Sequence, residues 1–448
     1  MAKKRPEHRS GNKIVGKPLD YKKHGDGIDD PNLKLDYDPR FSNGMGMGIS
    51  RRNLVKAGAA VAGLGSMGAM SSLLAQEKLA TKVFDPVVRI GYIPITDAAA
   101  LLAAHELGYF KDEGLDSVRP TLIRGWSPLV EAFASHRFNL THLLAPIPIW
   151  MRYNNNYPVK VTAWDHTNGS AMVVHKNSGI KSPKDMGGKQ FAMPYWYSMH
   201  NIVSQMLLKE HGIKPVIRPQ NAELAEDECN FLVLNPPDMP PALASRQIDG
   251  YCVAEPFCAM GELRARGEIL RFNGDIWKNH PCCVVAMHEE DAMDPERAEW
   301  SQKVHNAIVR AQLYLGDNRK EMAQIFSKDG KKYMPFPAEV IERAMMFYDP
   351  AYYKNPHAIQ NLDWEQDRIN FTGWPYPSAT RRIVSELKQT IVTGETGFLE
   401  GLTGEHVSND LFQYDYIKSA LEKYPQWKDG LGYAEGEDPF VREEVIKV

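Results

Sequence analysis

The sequence predicts an α/β protein of two lobes, each a mostly parallel sheet flanked by helices, with a cleft between the lobes and an α-rich C-terminal wrap. Three observations carry this. From Val87 onward, short runs rich in β-branched and aromatic residues alternate with stretches of helical periodicity. The alternation is interrupted by a polar bend at Asp165–Gly169 and then restarts. A chain of 448 residues is also longer than one hydrophobic core usually serves.

The stretch Val87–Phe110 organises the rest. Val87, Val88, Ile90, Tyr92 and Ile93 read as a strand that Pro94 stops, because proline cannot donate to the ladder. Thr96 and Asp97 are both good helix N-caps, and Ala98, Leu101, Leu102, His105 and Tyr109 follow the spacing of one helical face. Such a junction lies at the carboxyl end of a strand, where ligands collect in open α/β sheets. Strands at Ser117–Arg124, Phe138–Leu144 and Val159–Trp164, with helices at Ser127–Ser135 and Pro146–Tyr153, complete the first part of lobe 1, residues 86–168. Lobe 2, residues 169–281, repeats the grammar. Its strands are Ala171–His175, Gln190–Met193, Glu228–Leu234 and Asp249–Ala254; its helices are Ser182–Met186, Ser198–His211, Pro236–Gln247 and the run from Glu255-Pro256 to about Arg266. Cys282–His288 returns the chain to lobe 1, and residues 282–448 continue as the wrap, with helices at Pro295–Lys328, Pro337–Tyr348, Ser378–Thr393 and Ser408–Tyr424.

Composition narrows the function. Hydrophobic residues at 43%, charged residues at 24% and a net charge of -3 are ordinary for a globular protein and leave no basic surplus for nucleic acid. Residues 1–48 are too polar to offset their ordering entropy and read as a disordered arm. Residues 49–80 follow as a twin-arginine export signal. Ser50-Arg51-Arg52-Asn53-Leu54-Val55-Lys56 matches its motif, and Ala57–Ala75 supplies an apolar segment with no polar face. A periplasmic location and the twin-arginine translocase as a partner are therefore expected. Ser71, Ala75 and Ala80 give no clean cleavage site, which leaves an uncleaved anchor open. The five cysteines, Cys229, Cys252, Cys258, Cys282 and Cys283, are an odd number, so at least one thiol stays free or pairs between chains. Cys282-Cys283 lie in an apolar run and read as small buried hydrophobes, and a Cys252–Cys258 bridge is left open.

Polar and aromatic residues fall at corresponding strand ends of both lobes: Thr96-Asp97, Trp126 and Pro146 in the first, Tyr195-Trp196-Tyr197, His200 and Glu255-Pro256 in the second. Facing one crevice, they make an aromatic-lined small-molecule site. Each has a plainer reading. Asp97 serves as a helix cap, His200 as a cap or packed ring near a helix start, Trp126 as core, and Glu255 as a carboxylate favoured by the dipole of the helix it opens.

The segments ITDAAALLAAHELGYFKDEGL, RGW at Arg124–Trp126, YSMHN at Tyr197–Asn201, DGYCVAEPF at Asp249–Phe257, IWKNHP at Ile276–Pro281 and WPYPSATRRIV resemble, in this order and spacing, the nitrate/sulfonate/bicarbonate (taurine) family of ABC-transporter solute-binding proteins. The resemblance runs from about Val87 to Tyr424. It implies a two-lobed, type II-like periplasmic-binding-protein fold that closes on a small solute and delivers it to an inner-membrane ABC permease without doing chemistry on it. By the same resemblance Thr96 and Asp97 stand at the first helix start, Trp126 walls the ligand, His200 reaches it from lobe 2, and Glu255 stands at the cleft near the hinge; Trp196, among the strand-end aromatics of lobe 2, is a further ligand-binding candidate. Nitrate-type members resemble HPEK where this chain has His280-Pro281-Cys282-Cys283, so the anion-approaching lysine is missing and Lys278 is its candidate replacement.

Two carboxylates, Asp97 and Glu255, would repel an anion as the cleft closes and its dielectric falls. That conflict resolves if they act as caps, or if Glu255 holds a calcium ion with the ligand, as in bicarbonate-binding members. It also resolves if the ligand is neutral or carries an amine. The expected function is capture of nitrate, a sulfonate such as taurine, or bicarbonate, by a protein that is not an enzyme. The alternative is a thiamine-pyrimidine-synthase-like enzyme or pyrimidine-binding protein on the same scaffold, with His200, His280 and Cys282-Cys283 as its cluster.

Overall fold

Residues 84–220, 222–429, 431, 433 and 436–448 are described by a computed structural model. The expected N-terminal arm and the twin-arginine segment lie outside the described residues. All described elements belong to one compact unit that includes Asp85–Val448.

Thirteen strands are formed among the described residues: β1 (Ile90–Tyr92), β2 (Thr121–Leu122), β3 (Leu140–Leu144), β4 (Val159–Trp164), β5 (Thr167–Asn168), β6 (Ser170–His175), β7 (Lys189–Met193), β8 (Lys214–Val216), β9 (Glu228–Val233), β10 (Gly250–Ala254), β11 (Gly267–Phe272), β12 (Cys283–His288) and β13 (Ile369–Asn370). They build a five-stranded sheet in the order β2-β1-β3-β12-β4, a six-stranded sheet in the order β11-β6-β10-β7-β9-β8, and a small pair β13-β5. The pairs β1–β2, β1–β3, β7–β9, β7–β10 and β8–β9 are parallel, as repeated βα units require. Antiparallel pairing enters through two strands. The chain runs from β4 straight into β6 of the other sheet, and from β11 back into β12, with no crossover helix to reverse it. So β6 lies antiparallel to β10 and β11, and β12 antiparallel to β3 and β4.

The two crossings, residues 165–169 and 273–282, lie side by side. Asn168 N–H donates to the His280 carbonyl at 3.0 Å, and Thr167 bridges Pro281. Gly169 takes a left-handed φ of 72°, and its N–H donates to the Arg368 carbonyl at 2.7 Å, which fastens β13 across the first crossing. The second crossing is strapped by the C-terminal residues: Lys278 N–H donates to the Val445 carbonyl and Lys447 N–H to the Ile276 carbonyl.

Local signals located most elements, and tertiary pairing moved several of their ends. The first helix is a turn of 3-10 helix at Thr96–Ala98, then Ala99–Glu106, and it breaks at Gly108 (φ 76°) before a short helix Tyr109–Asp112. Ala98–Ala104 are all fully buried, so the helix is apolar all round through Ala104 and only its end, at His105 and Glu106, is polar. Trp126 opens the helix Trp126–Ala134, so the expected cap at Ser127 falls inside it. Ser117–Arg124 contributes only β2 and an isolated bridge at Ser117. The strands β8 and β11 go beyond the sequence reading. Ser408–Tyr424 is two helices, Gly404–Asp410 and Asp415–Lys423. Between them the backbone leaves the helix to pair with edge strand β4: Val161 N–H donates to Leu411 O at 3.0 Å and Gln413 N–H to Val161 O at 2.9 Å. An exposed edge is thereby covered. Among the described residues no helix is long and apolar enough to cross a membrane.

Candidate functional site

Below the two crossings lies a set of fully buried polar side chains. Thr96 N–H and Oγ1 both donate to the Glu255 carbonyl, at 2.8 and 3.2 Å, which joins the β1 junction to the end of β10. Neither Thr96 nor Asp97 caps the helix with its side chain. Asp97 turns instead toward the crossings, with Oδ2 2.9 Å from His166 Nε2 and 3.2 Å from Cys283 Sγ. Burial raises the Asp97 carboxyl to about 6 against the pull of His166. Burial works against the imidazolium too, yet the Asp97 charge beside it carries His166 well above its usual value. Each partner thus favours the charged form of the other.

Cys282 stands next to this pair, at the end of the second crossing. Its Sγ lies 3.4 Å from Ser170 Oγ and 3.8 Å from His200 Nε2, and Ser170 Oγ lies 2.9 Å from His200 Nε2. Burial disfavours the thiolate, but the Cys283 hydrogen bond and the His200 and His166 rings hold Cys282 well below the ordinary thiol range. All five cysteines are free and buried, so there is no Cys252–Cys258 bridge; Cys252 Sγ contacts Asn273 Oδ1 and Cys258 Sγ donates to Val253 O. Cys282 and Cys283 are buried as expected of small hydrophobes, but among polar groups.

On the first-sheet side, Trp126 sits edge-on to His142 with ring centroids 5.5 Å apart. Ile93 N–H donates to His142 Nε2 at 3.1 Å, so the neutral ring carries its proton on Nδ1. Burial keeps the ring neutral by lowering its pKa to about 3. His142 Nδ1 and Trp126 Nε1 have no partner in the protein. Neither have Asp97 Oδ1, both carboxyl oxygens of Asp165, His166 Nδ1, His200 Nδ1 or either nitrogen of His280. Buried polar atoms are almost always satisfied, because an orphan costs about 1–3 kcal/mol. Such a concentration of orphans marks a place built for a guest.

Aromatic contacts also join the two lobes. Trp150 stacks on Tyr197 at 5.7 Å and meets Tyr195 edge-on at 6.5 Å.

The sequence-predicted residues divide. Asp97, Trp126 and His200 converge on the buried set. Thr96 is spent on the Glu255 carbonyl, and Trp196 is half-buried with its carbonyl accepting from the Asn201 side chain. Glu255 is turned away: Oε1 accepts from Arg368 Nε at 2.6 Å and Oε2 from Ala259 N–H at 3.0 Å. Arg368 also pairs with Glu262 at 2.8 Å, and Glu262 with Arg343 at 2.7 Å. Burial raises Glu255 while Arg368 lowers it; at 2.6 Å from a guanidinium itself held far above its ordinary value, the pair is ionised. Both the ligand role and the calcium role expected of Glu255 are corrected by this saturation. Calcium takes roughly six to eight oxygens, whereas the donors beside Asp97 are sulfur and imidazole. Lys278 is corrected as well. It lines a separate cavity with Tyr376, Asn279 and Arg442 beneath the C-terminal strap.

Sequence reasoning missed His142, Asp165 and His166 as site residues. His142 had a signal, a histidine inside the otherwise apolar strand LTHLL. Asp165-His166 stood in the polar bend that marked the crossing.

Two mostly parallel sheets joined by two adjacent crossings, with a closed polar site beneath them, define the two-lobed periplasmic-binding-protein fold. The NMT1-like family model matches residues 83–327, more than half of the chain, and the protein belongs to that family. The nitrate/nitrite binding protein NrtA of Nostoc sp. (strain PCC 7120) is 26% identical over 286 residues, 59% of this chain and 62% of that protein. The chain spans 62%, 45% and 36% of the lengths of three curated relatives. Among solved structures, the periplasmic nitrate-binding protein NrtA from Synechocystis PCC 6803 superposes with a TM-score of 0.61 at 18% identity, covering 76% of this chain and 89% of that one. A ligand-binding component of an ABC-type import system from Staphylococcus aureus, solved with zinc bound, superposes at 0.58 with 20% identity, covering 75% and 99%. Those two likenesses show the fold.

Proposed function

We propose that this chain is the solute-binding component of an ABC importer, that it captures a small oxyanion between its lobes, and that it releases the solute unaltered. The observation that carries this is the pair of neutral, buried ring N–H donors, Trp126 Nε1 and His142 Nδ1, in touching rings and without partners. Oriented donors in a dry site bind an anion strongly while burying no mobile charge. The carboxylates that would oppose an anion are offset: Glu255 by Arg368 at 2.6 Å and Asp97 by His166 at 2.9 Å, while burial raises the unpaired Asp165 carboxyl well above the usual carboxylate range and so favours its neutral form. Nitrate-binding relatives support the class of solute.

The test is a thermal melt of the full chain against nitrate, nitrite, bicarbonate with and without calcium, alkanesulfonates and pyrimidines. One class of oxyanion raises the melting temperature with concentration, by about 2.7 kcal/mol of stabilisation at a hundred times Kd. A rise with pyrimidines alone refutes the oxyanion reading and favours the alternative ligand class. The twin-arginine motif at residues 50–56 supports export to the periplasm; periplasmic accumulation that survives Arg51→Lys with Arg52→Lys refutes that route.

A further inference from the structure

We infer that Asp97, His166, Cys282 and Cys283 form a zinc site that pins the first strand–helix junction to both crossings between the lobes. One carboxylate oxygen, one imidazole nitrogen and two sulfurs lie within 4.8 Å of one another, and all four side chains are fully buried. A four-coordinate zinc ion with bonds of about 2.0–2.3 Å needs its ligand atoms roughly 3.3–3.8 Å apart. Asp97 Oδ2 already stands 3.2 Å from Cys283 Sγ and 2.9 Å from His166 Nε2. Contraction by about an ångström at the widest edge completes the tetrahedron. Two sulfurs with nitrogen and oxygen select zinc over the hard, oxygen-seeking cations.

The far atoms of these side chains, Asp97 Oδ1 and His166 Nδ1, are buried without a protein partner, so no bond made through them holds either side chain away from an ion. Around them stand groups fit to orient the ligands: Ser170 Oγ and His200 Nε2 on Cys282, and the neighbouring His280 with both ring nitrogens unpartnered. Asp97 belongs to the junction after β1, His166 to the first crossing, Cys282 to the end of the second, and Cys283 to the start of β12. An ion bonded to all four couples the lobes through the two segments on which they turn. Zinc takes the place of the proton on His166 Nε2 and itself offsets the Asp97 charge; Trp126 and His142 are not among its ligands, so zinc binding and oxyanion binding are read separately.

The full chain, stripped of metal under reducing conditions and checked by circular dichroism, is titrated with cobalt as the optical probe and then with zinc. One equivalent of cobalt gives intense visible bands of a tetrahedral ion and a thiolate-to-cobalt charge-transfer band in the near ultraviolet, and one equivalent of zinc bleaches both. Zinc alone, without any solute, raises the melting temperature. Cys282→Ser and Cys283→Ser each lose the charge-transfer intensity of one thiolate, Asp97→Asn weakens cobalt at least tenfold, and Cys229→Ser leaves the spectrum unchanged. A folded wild-type chain that gives only the weak spectrum of octahedral cobalt overturns the proposal, whatever the variants do. So does a charge-transfer band of full strength in both Cys282→Ser and Cys283→Ser.

Discussion

Replacing Glu255 with glutamine separates a ligand residue from a structural one. In the folded chain two carboxylates, Glu255 and Glu262, balance two guanidiniums, Arg343 and Arg368, in a cluster 5% exposed or less. The amide removes one negative charge and leaves a buried net positive charge. It also cannot rotate out of difficulty. Oε1 accepts from Arg368 and Oε2 from Ala259 N–H, so whichever way the amide lies, its NH2 faces a donor. Breaking a buried pair from one side costs about 3–5 kcal/mol. With a melting entropy of about 2.1 cal/mol/K per residue over roughly 360 residues, near 0.75 kcal/mol/K, the melting temperature falls by about 4–7 °C. Solute affinity changes by no more than about twofold, because Glu255 shares no partner with the Trp126–His142 pair. Calorimetric melting of the free protein and isothermal titration of the best oxyanion read the two quantities. An unchanged melt with a collapsed affinity, or with a lost calcium dependence, refutes the assignment of Glu255 to the ion-pair cluster.

Trp126→Phe keeps a ring beside His142 but deletes the orphan N–H; loss of a hydrogen bond to an anion, about 1.5–3 kcal/mol, lowers oxyanion affinity about 10- to 150-fold in the same titration. Trp300→Phe, whose indole donates to the Pro86 carbonyl far from the site, lowers stability and leaves that affinity alone. Burial holds the fully buried His305 neutral by lowering its pKa from 6.5 to about 4. The unfolded chain therefore takes up this proton first as pH falls, so the stability present above 6.5 is lost between 6.5 and about 4, by about 3 kcal/mol for this group. Urea melts at pH 7 and pH 4.5 show a smaller loss for His305→Gln than for the wild type; an equal loss would contradict the assignment.

Much of the fold was legible because its signals are local. Pro94 stops a strand, Ser198 caps the helix Met199–Glu210 by accepting from Asn201 N–H, and β4 is a run of six buried residues bounded by a proline and a polar bend. The helix break at 411–414 was not legible. It exists because β4 offers an unpaired edge, and only the assembled sheet supplies that partner. Trp126 and His200 were found as strand-end residues, while His142, one ring away from Trp126, sits within a strand and looked like core.

By itself the sequence determined the alternation of strands and helices, the two crossings, and the residue types available at strand ends, since these follow from periodicity, caps and proline. Only the tertiary structure decided what each charge does. Asp97 reads as a helix cap until His166, sixty-nine residues on, is set 2.9 Å from it. Glu255 reads as a cleft carboxylate until Arg368 arrives from the C-terminal wrap to take it. A buried charge is governed by its nearest opposite charge, and chain order does not show which one that will be.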